Sequence, residues 1–181
     1  MLYYATSSTW RRSCIGFLIA KRVDGDYIYN TGSLYYDGDS TRDTTWSNEY
    51  LHIKKLINDG VIDNNLSTWK CFASDGTWNA GYAPNAIDQT IYYDKDKNKL
   101  YMVYGSLSGG LWVLELDKTT GKPIYPGKDG TDSISNNYVD RYFGIHIAGG
   151  NHMSWEGGYI RYYKKSGYYF FYDTYRGGIN M

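Results

Sequence analysis

Ile91-Tyr92-Tyr93-Asp94, a charged turn over Lys95 to Lys99, and then Leu100-Tyr101-Met102-Val103-Tyr104-Gly105 form the stretch on which the fold turns. Two short runs rich in aromatic and branched side chains, joined by Asp, Lys and Asn, read as an antiparallel hairpin. The second run is apolar without alternation, so both faces of that strand are covered. The unit recurs after roughly 70 residues as Ile160-Arg161-Tyr162-Tyr163, the turn Lys164-Lys165-Ser166-Gly167, and Tyr168-Tyr169-Phe170-Phe171-Tyr172. Leu2-Tyr3-Tyr4-Ala5 matches the second strand of an earlier copy, and Ile15–Ala20 and Leu111–Leu116 are further strand-like runs. Repeated antiparallel units, each covered on both faces, predict an all-β chain with the radial packing of a β-propeller. A two-sheet sandwich is the competing arrangement.

Composition narrows the function. The 181 residues carry 19 Lys plus Arg and 19 Asp plus Glu, a formal net charge of zero, which argues against a nucleic-acid partner. The longest apolar run, Cys14 to Ala20, is seven residues, against the roughly 20 of a spanning helix. Its flanking Arg11, Arg12, Lys21 and Arg22 also argue against a leader sequence, so no membrane partner is expected. Cys14 and Cys71 define neither a disulfide framework nor a zinc site. The 22 tyrosines and six tryptophans suit strand packing first, and also the stacking of sugar rings. One segment breaks the strand pattern. Tyr50, Ile53 and Ile57 share a helical face over Ser47 to Asp59, with Ser47 as cap and Gly60 as terminator. Tyr35 to Trp78 reads as an insertion between blades that carries this helix.

Most chemical motifs fail on inspection. His52, His146 and His152 are too scattered to set a metal site. Asp94, Asp96 and Asn98 imitate the start of a calcium loop, but Lys99 and Gly105 stand where glycine and glutamate belong, so a solvated turn is the better reading. Gly105-Ser106-Leu107-Ser108-Gly109 has leucine where a nucleophile elbow needs serine. Two acids remain: Asp88, at the start of a strand after Asn85-Ala86-Ile87, and Glu156, after Trp155 and among glycines. A carboxyl held against an aromatic ring, with a second carboxylate nearby, is the pair that acid–base work on a glycosidic bond requires. Turn capping is the plainer role for each.

Asn85-Ala86-Ile87-Asp88, Tyr104-Gly105-Ser106 with Gly109-Gly110, and Gly149-Gly150-Asn151-His152 with Glu156-Gly157 and Tyr159-Ile160 together resemble glycoside hydrolase family 43. The likeness is to the endo-1,5-α-L-arabinanases among these five-bladed propellers, and it runs from about Leu2 to Arg176. It implies an inverting hydrolase of arabinan, secreted, with Glu156 as general acid and Asp88 as the residue that orients the acid and modulates its pKa. It places Asn85, Ala86, Ile87, Asp88, Gly105, Ser106, Leu107 and His152 along the sugar subsites. It implies no cofactor in this segment; a calcium ion is possible in a longer family member, whose histidine ligand lies in a later blade. Gln89 and Gly158 stand where the family has proline, and Leu107 where it has an aromatic residue.

The resemblance puts the general base before Leu2, so the chain is expected to be part of a propeller, roughly two and a half blades, and inactive alone unless Asp140 or Asp173 serves as base. An exo-acting arabinofuranosidase or xylosidase relative, a non-catalytic carbohydrate-binding module and a bare structural fragment are the alternatives.

Overall fold

The computed structural model describes residues 1–9, 12–22, 24–25, 28–29, 35–36, 51–75, 79–153, 155–175 and 178–180. All seven apolar runs of the sequence fall in strands, with Ala20 alone just past the end of its strand: β1 (Leu2–Thr9), β2 (Arg12–Ile19), β5 (Thr90–Asp94), β6 (Lys99–Tyr104), β7 (Leu111–Leu116), β12 (Glu156–Tyr163) and β13 (Tyr168–Tyr175). Shorter strands complete the sheets: β3 (Ile28–Tyr29), β4 (Tyr35–Tyr36), β8 (Pro123–Ile124), β9 (Gly130–Thr131), β10 (Tyr138–Asp140), β11 (Gly144–Ala148) and β14 (Gly178–Asn180). They form three separate antiparallel sheets. The first runs β1-β2-β3 with β4 also on β2, the second β5-β6-β7-β11-β10-β9 with β8 on β7, and the third β12-β13-β14.

The middle sheet has the sandwiched character expected of a blade. Its register pairs Ile91 with Met102, Met102 with Leu114, and Tyr104 with Trp112, so these side chains share one face. That face belongs to a large core with Ile15 of β2, Ile53, Ile62 and Trp69. The opposite face, with Val103 and Val113, packs against Ile160 of β12 and Tyr169 of β13. The continuous apolar run Leu100 to Tyr104 is therefore a strand held between two other sheets, the arrangement of a propeller blade. The two segments read from the repeat lie in different sheets, as the propeller reading requires.

The helix, α1 (Leu51–Asn58), ends as expected: Gly60 takes a φ of +71° and its N–H donates to Ile57 O at 3.0 Å. Ser47 and Tyr50 lie outside the described residues. Tyr35–Tyr36 pairs with β2, so the expected insertion starts within the first sheet. Its described remainder packs into the core of the middle sheet through Ile53, Ile62, Trp69 and Cys71. Each such buried side chain contributes about 1.5–3 kcal/mol of burial. No helix among the described residues is long and apolar enough to cross a membrane.

Arg141 fastens this segment to the sheet. Its Nε and Nη2 donate to the two Asp129 carboxylate oxygens at 2.9 and 2.7 Å, and Nη1 donates to the carbonyls of Asp63 and Asn65 at 3.1 and 3.0 Å. The guanidinium also stands over the Trp69 ring, 5.3 Å from its centre. Burial alone would push the Asp129 carboxyl up, but the hydrogen bonds and charge of Arg141 outweigh it and hold the carboxyl below its ordinary value. The sign follows: the stabilisation is complete above the unfolded value of about 3.9 and is lost as pH falls through the lowered folded value. Urea midpoints measured through the acid range should fall with pH, and Asp129→Asn should flatten that dependence. An unchanged slope would remove Asp129 from the acid response.

Candidate active site

Three connections meet at one end of the middle sheet: the segment 79–89 leading into β5, the turn 105–110 between β6 and β7, and the loop 149–155 between β11 and β12. Backbone hydrogen bonds knit them together. Gly105 N–H donates to Ile87 O at 3.1 Å and Leu107 N–H to Trp155 O at 2.8 Å. Gly109 N–H donates to Ala83 O at 3.1 Å, Asn151 N–H to Gly81 O at 2.6 Å, and His152 N–H to Ser108 O at 2.9 Å. Asp88 directly follows Ile87, and Glu156 directly follows Trp155. The two carboxylates thus hang from residues bonded to the same short turn, Gly105 to Leu107, at the same end of the fold. β12 also packs against β5 and β6, so the strands that Glu156 and Asp88 introduce are neighbours.

The backbone here is strained. Asp88, Leu107, Asn151 and His152 have φ values of 56°, 52°, 52° and 60°, in the left-handed region that costs a residue with a Cβ. Such residues persist only where surrounding structure holds them, and they cluster at active sites and ligand clamps. Gln89 Oε1 and Ser108 Oγ, buried side-chain atoms without a hydrogen-bond partner among the described residues, border the same segments. Gly105 takes a φ of +103°, and a Cβ there would stand 2.1 Å from Gly110 O. Gly105→Ala is therefore expected to cost about 1–3 kcal/mol by forcing the turn open, read as a lowered thermal midpoint. An unchanged midpoint would show that the turn has room to spare.

The side chains expected along the sugar subsites divide by exposure. Asp88, His152 and Glu156 are exposed, and Ile87 and Leu107 are half-buried. Asn85, Ala86, Gly105 and Ser106 are buried and build the site from beneath: Asn85 Nδ2 donates to Ser106 O at 2.8 Å, and Ala86 N–H donates to Ser13 Oγ of β2 at 3.1 Å. Glu156 opens β12 opposite Thr174, and the register slips between Glu156 and Tyr159, where Gly157 has a φ of +64°. Such a bulge re-aims a side chain. Trp155 packs against Gly149, where an added Cβ would meet its Cβ and Cγ at 3.2 Å.

Other acids are structural. Asp140 is fully buried and accepts from Trp69 Nε1 and Tyr82 OH at 2.8 Å each, and from the N–H groups of Tyr142 and Phe143 at 2.8 and 2.9 Å. Those donors and its burial exclude it as a base that must reach water. Asp173 lies in β13 opposite Asn180, with its side chain outside the described residues. Asp94 is a turn residue as expected but not a solvated one: it is 1% exposed, accepts from the N–H groups of Asp96 and Lys97 at 3.0 Å, and is capped by the Tyr169 hydroxyl. Among the described residues no three His, Cys, Asp or Glu side chains form a group able to hold a metal ion. The described residues do not by themselves make the calcium site that the resemblance allows.

Comparison with known proteins agrees with the fold. No protein-family model matches the chain. An extracellular endo-α-(1→5)-L-arabinanase of Thermotoga petrophila is 31% identical over 193 residues, covering 100% of this chain and 31% of that protein. Extracellular endo-α-(1→5)-L-arabinanase 2 of Bacillus subtilis is 40% identical over 106 residues, 58% of this chain and 19% of that protein. Among solved structures, the glycoside hydrolase family 43 YxiA protein of Bacillus licheniformis superposes with a TM-score of 0.62 at 29% identity, covering 96% of this chain and 29% of that one. The Thermotoga petrophila endo-1,5-α-L-arabinanase does so with a TM-score of 0.61 at 27% identity, covering 96% and 30%. The chain spans less than a third of the length of each of these relatives.

Sheets sandwiched in this order, with this likeness, make the chain part of a β-propeller similar to that of the glycoside hydrolase family 43 protein. In sequence the likeness is to extracellular endo-α-(1→5)-L-arabinanases.

Proposed function

We propose that this chain supplies the acid side of the active site in a secreted hydrolase that cleaves α-1,5-linked arabinan by an inverting mechanism. The observation that carries the reading is the shared turn: Gly105 and Leu107 bind the backbone on either side of the blade boundary and hold Asp88 and Glu156 at one end of the fold. Glu156 is the general acid, and its carboxyl protonates the departing glycosidic oxygen. Asp88 orients that carboxyl. A third carboxylate acts as base on water at the opposite face of the sugar, with the acid and base about 6.5–9.5 Å apart so that water fits between them. Asp140 is excluded from that role by its burial. Relatives named as extracellular endo-arabinanases support the substrate and the secreted location.

The test is the anomer released from linear α-1,5-arabinan by the protein that carries this segment, followed by NMR in the first minutes of reaction. β-Arabinofuranose ends and a rapid fall in polymer length are expected. Retained α ends would overturn the inverting assignment, and release of single sugars without loss of polymer length would overturn endo action.

A further inference from the structure

We infer that Ser13, on β2 of the first sheet, is a positioning residue for Asp88: its hydroxyl holds the segment that sets the left-handed turn there, and through Asp88 it governs proton delivery by Glu156. The inference rests on the roles given to those two acids above. Ser13 is 1% exposed and Ala86 0%, and Ser13 Oγ accepts from Ala86 N–H at 3.1 Å across 73 residues of chain. β2 belongs to the first sheet and Ala86 leads into the middle one, so the bond crosses between sheets. Three successive residues ahead of Asp88 are tied in this way. Asn85 Nδ2 donates to Ser106 O at 2.8 Å, Ala86 N–H donates to Ser13, and Ile87 O accepts from Gly105 N–H at 3.1 Å. The first and last ties come from the turn of the middle sheet itself. The central one comes from outside that sheet.

Asp88 follows these ties with a φ of 56°. A residue with a Cβ stays in the left-handed region only while its surroundings impose it. A buried N–H that loses its acceptor carries the full cost of desolvation. Without the Ser13 hydroxyl, Ala86 N–H must turn toward another acceptor, and the peptide units ahead of Asp88 turn with it. Asp88 is then free to relax to a negative φ, a rotation of roughly 100° or more that re-aims its carboxylate. Glu156 does not share this route: it follows Trp155, whose carbonyl accepts from Leu107 N–H at 2.8 Å. The loss falls on the orientation of the acid and leaves the acid itself in place.

A second hydroxyl crosses between sheets and supplies the matched comparison. Tyr169 of β13 donates to Asp94, the last residue of β5, across 75 residues of chain. Asp94 is as deeply buried as Ser13, at 1% exposed. Six residues of extended chain, about 20 Å, separate it from Asp88. Tyr169 therefore fastens two sheets at the far end of β5, and Ser13 fastens two at the end that carries the acids.

The experiment measures kcat on linear α-1,5-arabinan and on the nitrophenyl glycoside of α-1,5-arabinotriose, in the protein that carries this segment. Parent, Ser13→Ala, Tyr169→Phe and Glu156→Gln are compared. Ser13→Ala is expected to lower kcat on arabinan by about ten- to a hundredfold and to spare the aryl substrate, whose nitrophenolate leaves without a proton. Tyr169→Phe is expected to lower the thermal midpoint while the ratio of the two rates stays that of the parent. Equal loss on both substrates in Ser13→Ala, no loss on either, or the same change of ratio in Tyr169→Phe overturns the inference. If Ser13→Ala does not fold, Ser13→Cys, whose sulfur is a weak acceptor, is read by the same criteria. Glu156→Gln separates the two failures. A changed ratio in Glu156→Gln but not in Ser13→Ala removes the Ser13 role alone. An unchanged ratio in Glu156→Gln, or a parent without turnover of arabinan, overturns the reading of the acids and the Ser13 role with it.

Discussion

Glu156→Gln, made in the protein that carries this segment, is expected to lower turnover of linear arabinan by about 10²–10⁴-fold, the usual worth of a positioned proton donor. Glutamine keeps the size and the hydrogen-bonding edge of the side chain but cannot deliver a proton. The penalty should therefore follow how much the leaving group needs one. An arabinan alkoxide needs it fully, whereas a nitrophenolate leaves without help, so activated aryl arabinofuranosides should be spared. The check is kcat for both substrates in parent and variant, with circular dichroism to show that the overall fold survives. Equal loss on both substrates would assign Glu156 to positioning, and no loss on either would remove it from the reaction.

The second large effect concerns the fold. Arg141→Met is expected to destabilise the protein by about 3–5 kcal/mol, the cost of breaking a buried pair from one side. Its guanidinium side chain is 3% exposed and its Asp129 partner 21%, which places the loss toward the lower end of that range. Methionine fills much of the space but takes the guanidinium donors from the Asp129 carboxylate, which keeps only the backbone N–H at position 141 from this residue, and leaves the carbonyls of Asp63 and Asn65 without Nη1. With an m-value of about 1–3 kcal/mol per molar urea, the midpoint should drop by about 1 M or more. In a double-mutant cycle, Arg141→Met with Asp129→Asn should cost less than the sum of the two. Additivity would mean that the two side chains act independently.

Reading the strands from sequence succeeds where side chains carry a long pattern. Leu111–Leu116 matches β7 end to end, and Leu100–Tyr104 is apolar throughout because one face meets Trp112 and Leu114 while the other meets Val113 and Ile160. β11 escaped although Ile145-His146-Ile147 alternates: glycines flank it, and its partner β7 lies across a long excursion that holds β8, β9 and β10. Those three strands have two or three residues each, too few for any period to register.

The site divides in the same way. Asp88 and Glu156 stood out by their small and glycine-rich surroundings. That Asn85 and Ser106 are buried supports, and that Trp155 packs on Gly149, depends on backbone turns with no local signature. The grip of Arg141 on Asp63 and Asn65 joins segments far apart in the chain, so no window of sequence could reveal it.

The turn at Gly105 to Leu107 has a bearing on how such enzymes can be recombined. Both carboxylates take their position from one blade's hairpin although each introduces a different blade, so the geometry of the pair is inherited as one continuous cassette from Asn79 to Gly157. A crossover between Asp88 and Glu156 divides the two carboxylates and joins a turn to a loop it was not shaped for. A graft of the whole stretch transfers both groups with their spacing intact. It must also bring a counterpart for Ser13 on β2, whose hydroxyl anchors the cassette at Ala86 from outside.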